Sequence, residues 1–216
     1  MIYFFADNHY DSFPGREINK QLQNDYKICY YEDDWSAMET NDFADKCSLL
    51  ILNMIGTTCN LPHPSAAAEK QIRKYAEKGG NFLLLHGSSA AFWQWGWWRK
   101  IVGFRWVRPN DPDNVPKSTH PKKPYKVEVS KCRHPLCKKL KDISLPEDEI
   151  YTELEQTCPA TILMQTTIEE GTFPQCYECL TPWNGKILGY LPGHFKEVTS
   201  SPEFIYNIKV LLDDLI

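Results

Sequence analysis

The sequence predicts an α/β fold: a mostly parallel sheet with helices on both faces and a β-rich second half. Three observations carry this expectation. Short runs that are apolar throughout alternate with amphipathic stretches in the first half, the pattern of strands buried on both faces. Those apolar runs are too short for ordinary helices. After residue 125, strand-like stretches follow one another with almost no helical pattern until the C-terminus.

The elements follow in order. "IYFFA" (2–6) is a buried first strand running into a polar, turn-rich loop, "DNHYDSFPG". "REINKQLQND" forms a helix with Ile18 and Leu22 on one face. "YKICYYE" (26–32) and "CSLLILNM" (47–54) are strands. "HPSAAAEKQIRKYAEKGG" is a helix opened by Pro64 or Ser65 and closed by Gly79-Gly80. "NFLLLHG" is a strand, and Ser88 or Ser89 caps a helix running through Trp93, Trp95, Trp97 and Trp98. Residues 109–124 form a loop rich in proline, aspartate and lysine. "YKVEVS", "EIYTELE", "TILMQTT", "CYECLTPW" and "KILGYLPG" are strands. "SPEFIYNIKVLLDDLI" is a closing amphipathic helix capped by Ser201.

The 216 residues suit a single domain over 1–216 with a sizeable core. A net charge of -4 gives no general attraction to nucleic acid or to an anionic membrane, and neither partner is expected. The basic run from Lys117 to Lys141 is offset by acids around Asp148 and reads as a solvated face. The N-terminus lacks the features of a signal peptide. No apolar run approaches the roughly 20 residues that cross a bilayer. A cytoplasmic location follows, with the eight cysteines as reduced thiols.

Several segments from about residue 79 to the C-terminus resemble the ThuA-like family, named for trehalose utilisation. "KGGNFLLLHGSSAAFWQWGWWRKIVGFRW" is similar to its Gly-Gly…His-Gly segment followed by a Trp-bearing stretch and an element here read as Ile101-Val102-Gly103-Phe104. His120-Pro121, Val127-Glu128-Val129, His134-Pro135, Leu145-Pro146 and Asp148-Glu149-Ile150-Tyr151 match a later succession. "NGKILGYLPGH" resembles the segment ending in Gly193-His194. The chain departs where Ile187 replaces a glycine after Lys186, and where "CYECLTPW" replaces a Pro-Val-x-Trp strand. The resemblance implies a flavodoxin-like sheet related to class I glutamine amidotransferases. Those enzymes place a catalytic cysteine on the turn after a strand; here that turn is His86-Gly87-Ser88-Ser89, so cysteine-dependent amidotransferase chemistry is not expected. His194 resembles the position of their catalytic histidine.

Ligands of such sheets lie beyond the carboxyl ends of the strands, so residues 7–10, 53–58 and 86–89 should line one edge. His86, Gly87 and Ser88 suit a sugar oxygen or a developing oxyanion at a helix N-terminus. Helical spacing puts Trp93, Gly96 and Trp97 on one face, where indoles stack on sugar rings. Strand alternation puts Glu149, Tyr151 and Glu153 on one face, so a carboxylate and a tyrosine can join a histidine in acid–base work. His9 reaches the same edge, and His120 sits on a mobile loop above it.

The expected function is binding of a sugar or keto-sugar derivative in carbohydrate metabolism. His86 and His194 would transfer protons, with Glu149 orienting them. This requires the two histidines to meet. Gly87, Ser88, Trp93, Trp97, His120, Tyr151 and His9 would line the ligand. A second reading is a non-catalytic module that uses the tryptophans to dimerise as a homo-oligomer or to bind a partner. A third is a metal-dependent hydrolase. No metal site is assigned and no cofactor is identified, because no His-x-His or His-x-x-x-His spacing occurs. Cys176 and Cys179 with Cys132 and Cys137 would make a zinc site, but strand alternation points Cys176 and Cys179 to opposite faces.

Overall fold

The computed structural model describes residues 1–56 and 61–216; Thr57 and Thr58 of the expected strand-end edge, and Cys59, lie outside them. The first half runs β1 (Ile2–Ala6), α1 (Pro14–Leu22), β2 (Ile28–Glu32), α2 (Phe43–Lys46), β3 (Leu49–Asn53), α3 (Ala66–Glu77) and β4 (Asn81–Leu85). The second half has β5 (Phe104–Arg105), β6 (Lys122–Val129), β7 (Ile143–Glu149), β8 (Glu155–Gln156), β9 (Ala160–Ile168), β10 (Gly171–Leu180) and β11 (Lys186–Tyr190). The chain closes with α4 (Lys196–Thr199) and α5 (Pro202–Leu215). Helix α2 has no signal in the sequence, since one turn carries too little periodicity to register there.

Nine strands form one sheet in the order β2-β1-β3-β4-β11-β10-β9-β6-β7. Strands β2, β1, β3, β4 and β11 pair in parallel. From β11 outward through β10, β9, β6 and β7 every pair is antiparallel. The expectation of a mostly parallel sheet is therefore corrected to a mixed one. Parallel neighbours need a long crossover, and the short connections of the second half permit only hairpin-like pairing.

Alternate residues of the continuous apolar strands feed two cores. Phe5, Leu50, Leu52, Phe82 and Leu84 pack on one face with Ile72 of α3 and with Trp95 and Trp98. Phe4, Ile51, Leu83 and Leu85 pack on the other with Ile18 of α1 and with Phe204 and Leu211 of α5. Each such side chain contributes about 1.5–3 kcal/mol by leaving water. The caps agree with the sequence. Ser65 accepts N–H bonds from Ala67 and Ala68, Ser201 accepts one from Phe204, and Gly79 ends α3 with φ +79°.

The tryptophan run is not an α-helix. A 3-10 turn, His86–Ala90, follows β4, and Phe92 then takes φ +53°. The next backbone bonds run three residues back: Trp95 N–H to Phe92, Trp98 N–H to Trp95, and Ile101 N–H to Trp98. A period of three brings Phe92, Trp95 and Trp98 together. The Phe92 and Trp95 rings stack at 4.0 Å and the Trp98 ring lies 5.3 Å from Phe92. The expected face of Trp93, Gly96 and Trp97 does not exist.

Two further expectations change. Cys132 and Cys137 are joined in a disulfide rather than reduced, their Cα atoms 6.6 Å apart across the loop after β6. Glu149 ends β7, Tyr151 lies beyond it, and Glu153 is exposed with φ +55°, so no strand carries all three. Cys176 and Cys179 do fall in opposite cores. No helix among the described residues is long and apolar enough to cross a membrane.

Candidate functional site

The carboxyl ends of β1, β3, β4 and β11 open on one edge of the sheet, and the chain leaving β7 joins them. A small pocket of about 110 Å³ lies there, lined by His9, Tyr10, Trp106, His120, Glu149 and His194, among others. Two broader clefts of about 690 and 530 Å³ flank it, and Trp106 walls all three cavities.

His86 stands directly after β4 with φ +43°, a backbone conformation that L-residues adopt only when the surroundings enforce it. Its Nδ1 faces the Leu191 carbonyl at 2.8 Å, so Nδ1 carries the hydrogen and donates it. Its Nε2 faces the site. There it meets His194 Nδ1 at 3.2 Å, the Tyr151 hydroxyl at 3.1 Å and Glu149 Oε2 at 3.5 Å. Glu149 Oε2 is also 3.5 Å from His194 Nδ1. Its other oxygen lies 3.2 Å from both His120 Nδ1 and Lys122 Nζ. His9 completes the cluster, its ring 4.9 Å from His86 and 5.1 Å from His194.

The backbone around these rings is tied by carboxylates. Asp148 accepts the N–H groups of Gly193 and His194 at 2.8 and 2.9 Å. Asp7 accepts those of Ile55 and Gly56 at 2.7 and 3.1 Å, and its second oxygen lies 3.5 Å from His9 Nδ1.

The groups titrate apart. Burial resists charge on His86, but Glu149 and Asp148 outweigh it and raise its pKa above the ordinary imidazole value. Burial, then the neighbouring His86, pull His194 down to about 3. Burial lowers His9. Burial also opposes charge on Glu149, yet His86, His194 and His120 hold it well below the usual carboxylate range. Burial, with Glu149, raises Tyr151 far above an ordinary phenol. An imidazole whose pKa is raised, another whose pKa is lowered and a carboxylate thus share one small space, which is the equipment for proton transfer.

Of the expected residues, His9, His86, His120, Glu149, Tyr151 and His194 come together. Gly87 and Ser88 do not face the pocket. Ser88 Oγ accepts the Met54 N–H at 3.0 Å and anchors the loop after β3. A Cβ on Gly87 would lie 2.4 Å from His9 Cε1, so the glycine makes room for the His9 ring. Trp93 lines the outer cleft of about 530 Å³. Trp97 is remote from the pocket, because its indole donates to Glu69 of α3 at 3.0 Å and packs beside Trp95 and Trp98. Two residues of the site escape the sequence reading, Trp106 and Asp148, while Tyr10 falls in the 7–10 stretch expected at this edge. Asp148 adjoins Glu149, so it is within reach of the sequence, whereas Trp106 depends on how the chain folds back after β5.

The model of the ThuA family, described as trehalose utilisation, matches residues 9–209. A crystal structure described as a ThuA-like protein from Parabacteroides merdae superposes with TM-score 0.77 at 14% identity, covering 96% of this chain and 86% of that one. Another, from Bacteroides uniformis, gives 0.69 at 15% identity over 100% and 91% of the two chains. A structure described as a GMP synthase protein from Thermoplasma acidophilum gives 0.53 at 11% identity over 100% and 94%; the fold is thus glutamine amidotransferase-like. No curated protein matches the chain by sequence.

Proposed function

The chain belongs to the ThuA family, linked to trehalose utilisation, and from that premise we propose that its inner pocket binds a sugar or keto-sugar derivative and transfers protons to and from it. The observation that carries this reading is the meeting of His86 and His194 at 3.2 Å beside Glu149, beneath the aromatic wall of Trp106 and Tyr10. His86 is the proton donor and His194 the acceptor, because their environments push the two pKa values in opposite directions. Glu149 stabilises the imidazolium. Trp106 offers an indole face to the C–H side of a sugar ring, the role the sequence suggested for Trp93 or Trp97. His120, with its side chain 44% exposed, covers the entrance beside Trp106.

Cysteine-dependent amidotransfer has no support, since the turn after β4 carries His86-Gly87-Ser88-Ser89 and no cysteine. The interaction-module reading is left with the half-buried Trp93 and Trp97, because Trp95 and Trp98 are buried in the chain's own core. The test is thermal unfolding with mono- and disaccharides, keto-sugars and sugar acids. A ligand of the native state raises the midpoint. The reading expects a rise with one class of sugar that disappears in Trp106→Ala. The absence of any rise at millimolar sugar contradicts it.

A further inference from the structure

We infer that His9, His86 and His194 are the ligands of a divalent transition-metal ion, with Glu149 Oε2 as the fourth. This goes beyond the sugar-binding reading and stands without it. One ring nitrogen from each of the three buried histidines lies within 4.8 Å of those of the other two. The inner face of the cluster is tighter. His86 Nε2, His194 Nδ1 and Glu149 Oε2 form a triangle with sides of 3.2, 3.5 and 3.5 Å. An ion that holds nitrogen and oxygen ligands tetrahedrally at about 2.0–2.1 Å spaces them about 3.3 Å apart. The triangle already has that size. His9 offers the remaining corner, its ring nitrogen within 4.8 Å of those of His86 and His194 and drawn in toward them on binding.

The surroundings of the rings fit the same assignment. A metal-binding histidine turns one nitrogen to the ion and gives the other to a carbonyl or carboxylate, which fixes its tautomer and its orientation. His86 Nδ1 is held by the Leu191 carbonyl at 2.8 Å. His9 Nδ1 faces Asp7 Oδ1 at 3.5 Å, and Asp7 is itself anchored by two backbone N–H groups. The backbone of His194 is fixed by Asp148. Gly87 allows the His9 ring to lie against the turn that carries His86. Three imidazoles and one carboxylate favour zinc, iron, cobalt or nickel over magnesium or calcium, which prefer all-oxygen sites. With the ion in place His86 and His194 hold metal in place of the proton-transfer role proposed above, and Trp106 and Tyr10 still wall the pocket.

The test begins with metal analysis of the full chain purified without chelator, then stripped and titrated with zinc chloride. One zinc per chain is expected. Binding should weaken at least ~100-fold in His9→Ala and in His194→Ala, the upper end of what even outer-shell changes cost. It should be unchanged in His134→Ala. Circular dichroism establishes that each variant is folded. Cobalt substitution of the wild-type chain provides a readout that needs no variant. The assigned ligands give visible bands of a low-coordinate Co²⁺ ion and no thiolate-to-cobalt charge transfer. A folded wild-type chain that binds no zinc overturns the assignment. So does zinc binding that survives both histidine substitutions, or a thiolate band. Sugars are titrated separately into stripped and zinc-loaded protein, so a failed sugar result leaves the metal result standing, and the reverse.

Discussion

The imidazoles of His86 and His194 meet at 3.2 Å although 108 positions separate them in the chain. The contact follows from one pairing. β11 lies parallel to β4 with Tyr190 opposite Leu85, so the residues leaving the two strands leave side by side. β7 then delivers Glu149 to the same point, through the Asp148 carboxylate that grips the backbone of Gly193 and His194.

Gly87→Ala should disturb the site more than the fold. The added Cβ would lie 2.4 Å from His9 Cε1 and 3.1 Å from Ile55 Cγ1. Overpacking of this kind costs about 1–3 kcal/mol. The expected outcome is a moderate loss in urea unfolding, together with loss of ligand-induced stabilisation. Wild-type behaviour in both measurements contradicts the placement of His9.

Asp148→Asn keeps the shape of the side chain but turns one acceptor into a donor facing a buried N–H. An unsatisfied buried group costs about 1–3 kcal/mol. The urea midpoint should fall by a corresponding amount, and sugar binding should weaken because His194 loses its backbone anchor. An unchanged midpoint contradicts this role for Asp148.

Arg105 and Asp111 hold the loop that carries Trp106. The buried guanidinium binds Asp111 at 2.6 and 3.0 Å and also pairs with Glu155. Arg105 keeps Asp111 below the usual carboxylate range. A carboxylate whose folded pKa is depressed stabilises the fold above its unfolded pKa of about 3.9, and that stability is lost as pH falls through the folded value. Asp111→Ala should therefore cost roughly 3 kcal/mol at neutral pH, the lower end for breaking a buried pair, because Glu155 remains. The difference from wild type should shrink below about pH 4. Unfolding curves at several pH values check both the size and the sign.

Trp106→Ala and Trp97→Ala should separate binding from stability. Trp106 walls the pocket, and its removal should weaken sugar binding about tenfold, on the scale of one aromatic contact. Trp97 bonds to Glu69 and packs against the core. Its removal should lower the unfolding midpoint and leave sugar affinity unchanged. The reverse result would restore the sequence-based assignment of Trp97.

Much of the site is legible because strand ends are legible. Continuous apolar runs leading to His9, His86 and His194 announce buried strands, and the sheet rule then places their ends on one edge. Alternation singles out Glu149 and Tyr151, yet they reach the site because β7 ends at Glu149 and the chain turns. The tryptophans mislead for a definite reason. A helical period of 3.6 does not apply where Phe92, Trp95 and Trp98 follow a period of three. The sheet rule brings the three histidines to one edge, but their capacity to hold a metal together is not legible, since they come from three separate strand ends and share no local spacing. The mixed sheet is foreshadowed by the lack of helices after residue 125, but the insertion of β11 beside β4 is a choice of topology that no local pattern records.

The most direct test of the central claim is NMR of the chain with ¹³C-labelled histidine, titrated with the sugar that best stabilises it. The account predicts that the ring resonances of His9, His86 and His194 shift together and saturate at one sugar per chain, while His134, paired with Glu178 away from the pocket, stays fixed. Saturable sugar binding that leaves those three rings unmoved would contradict it.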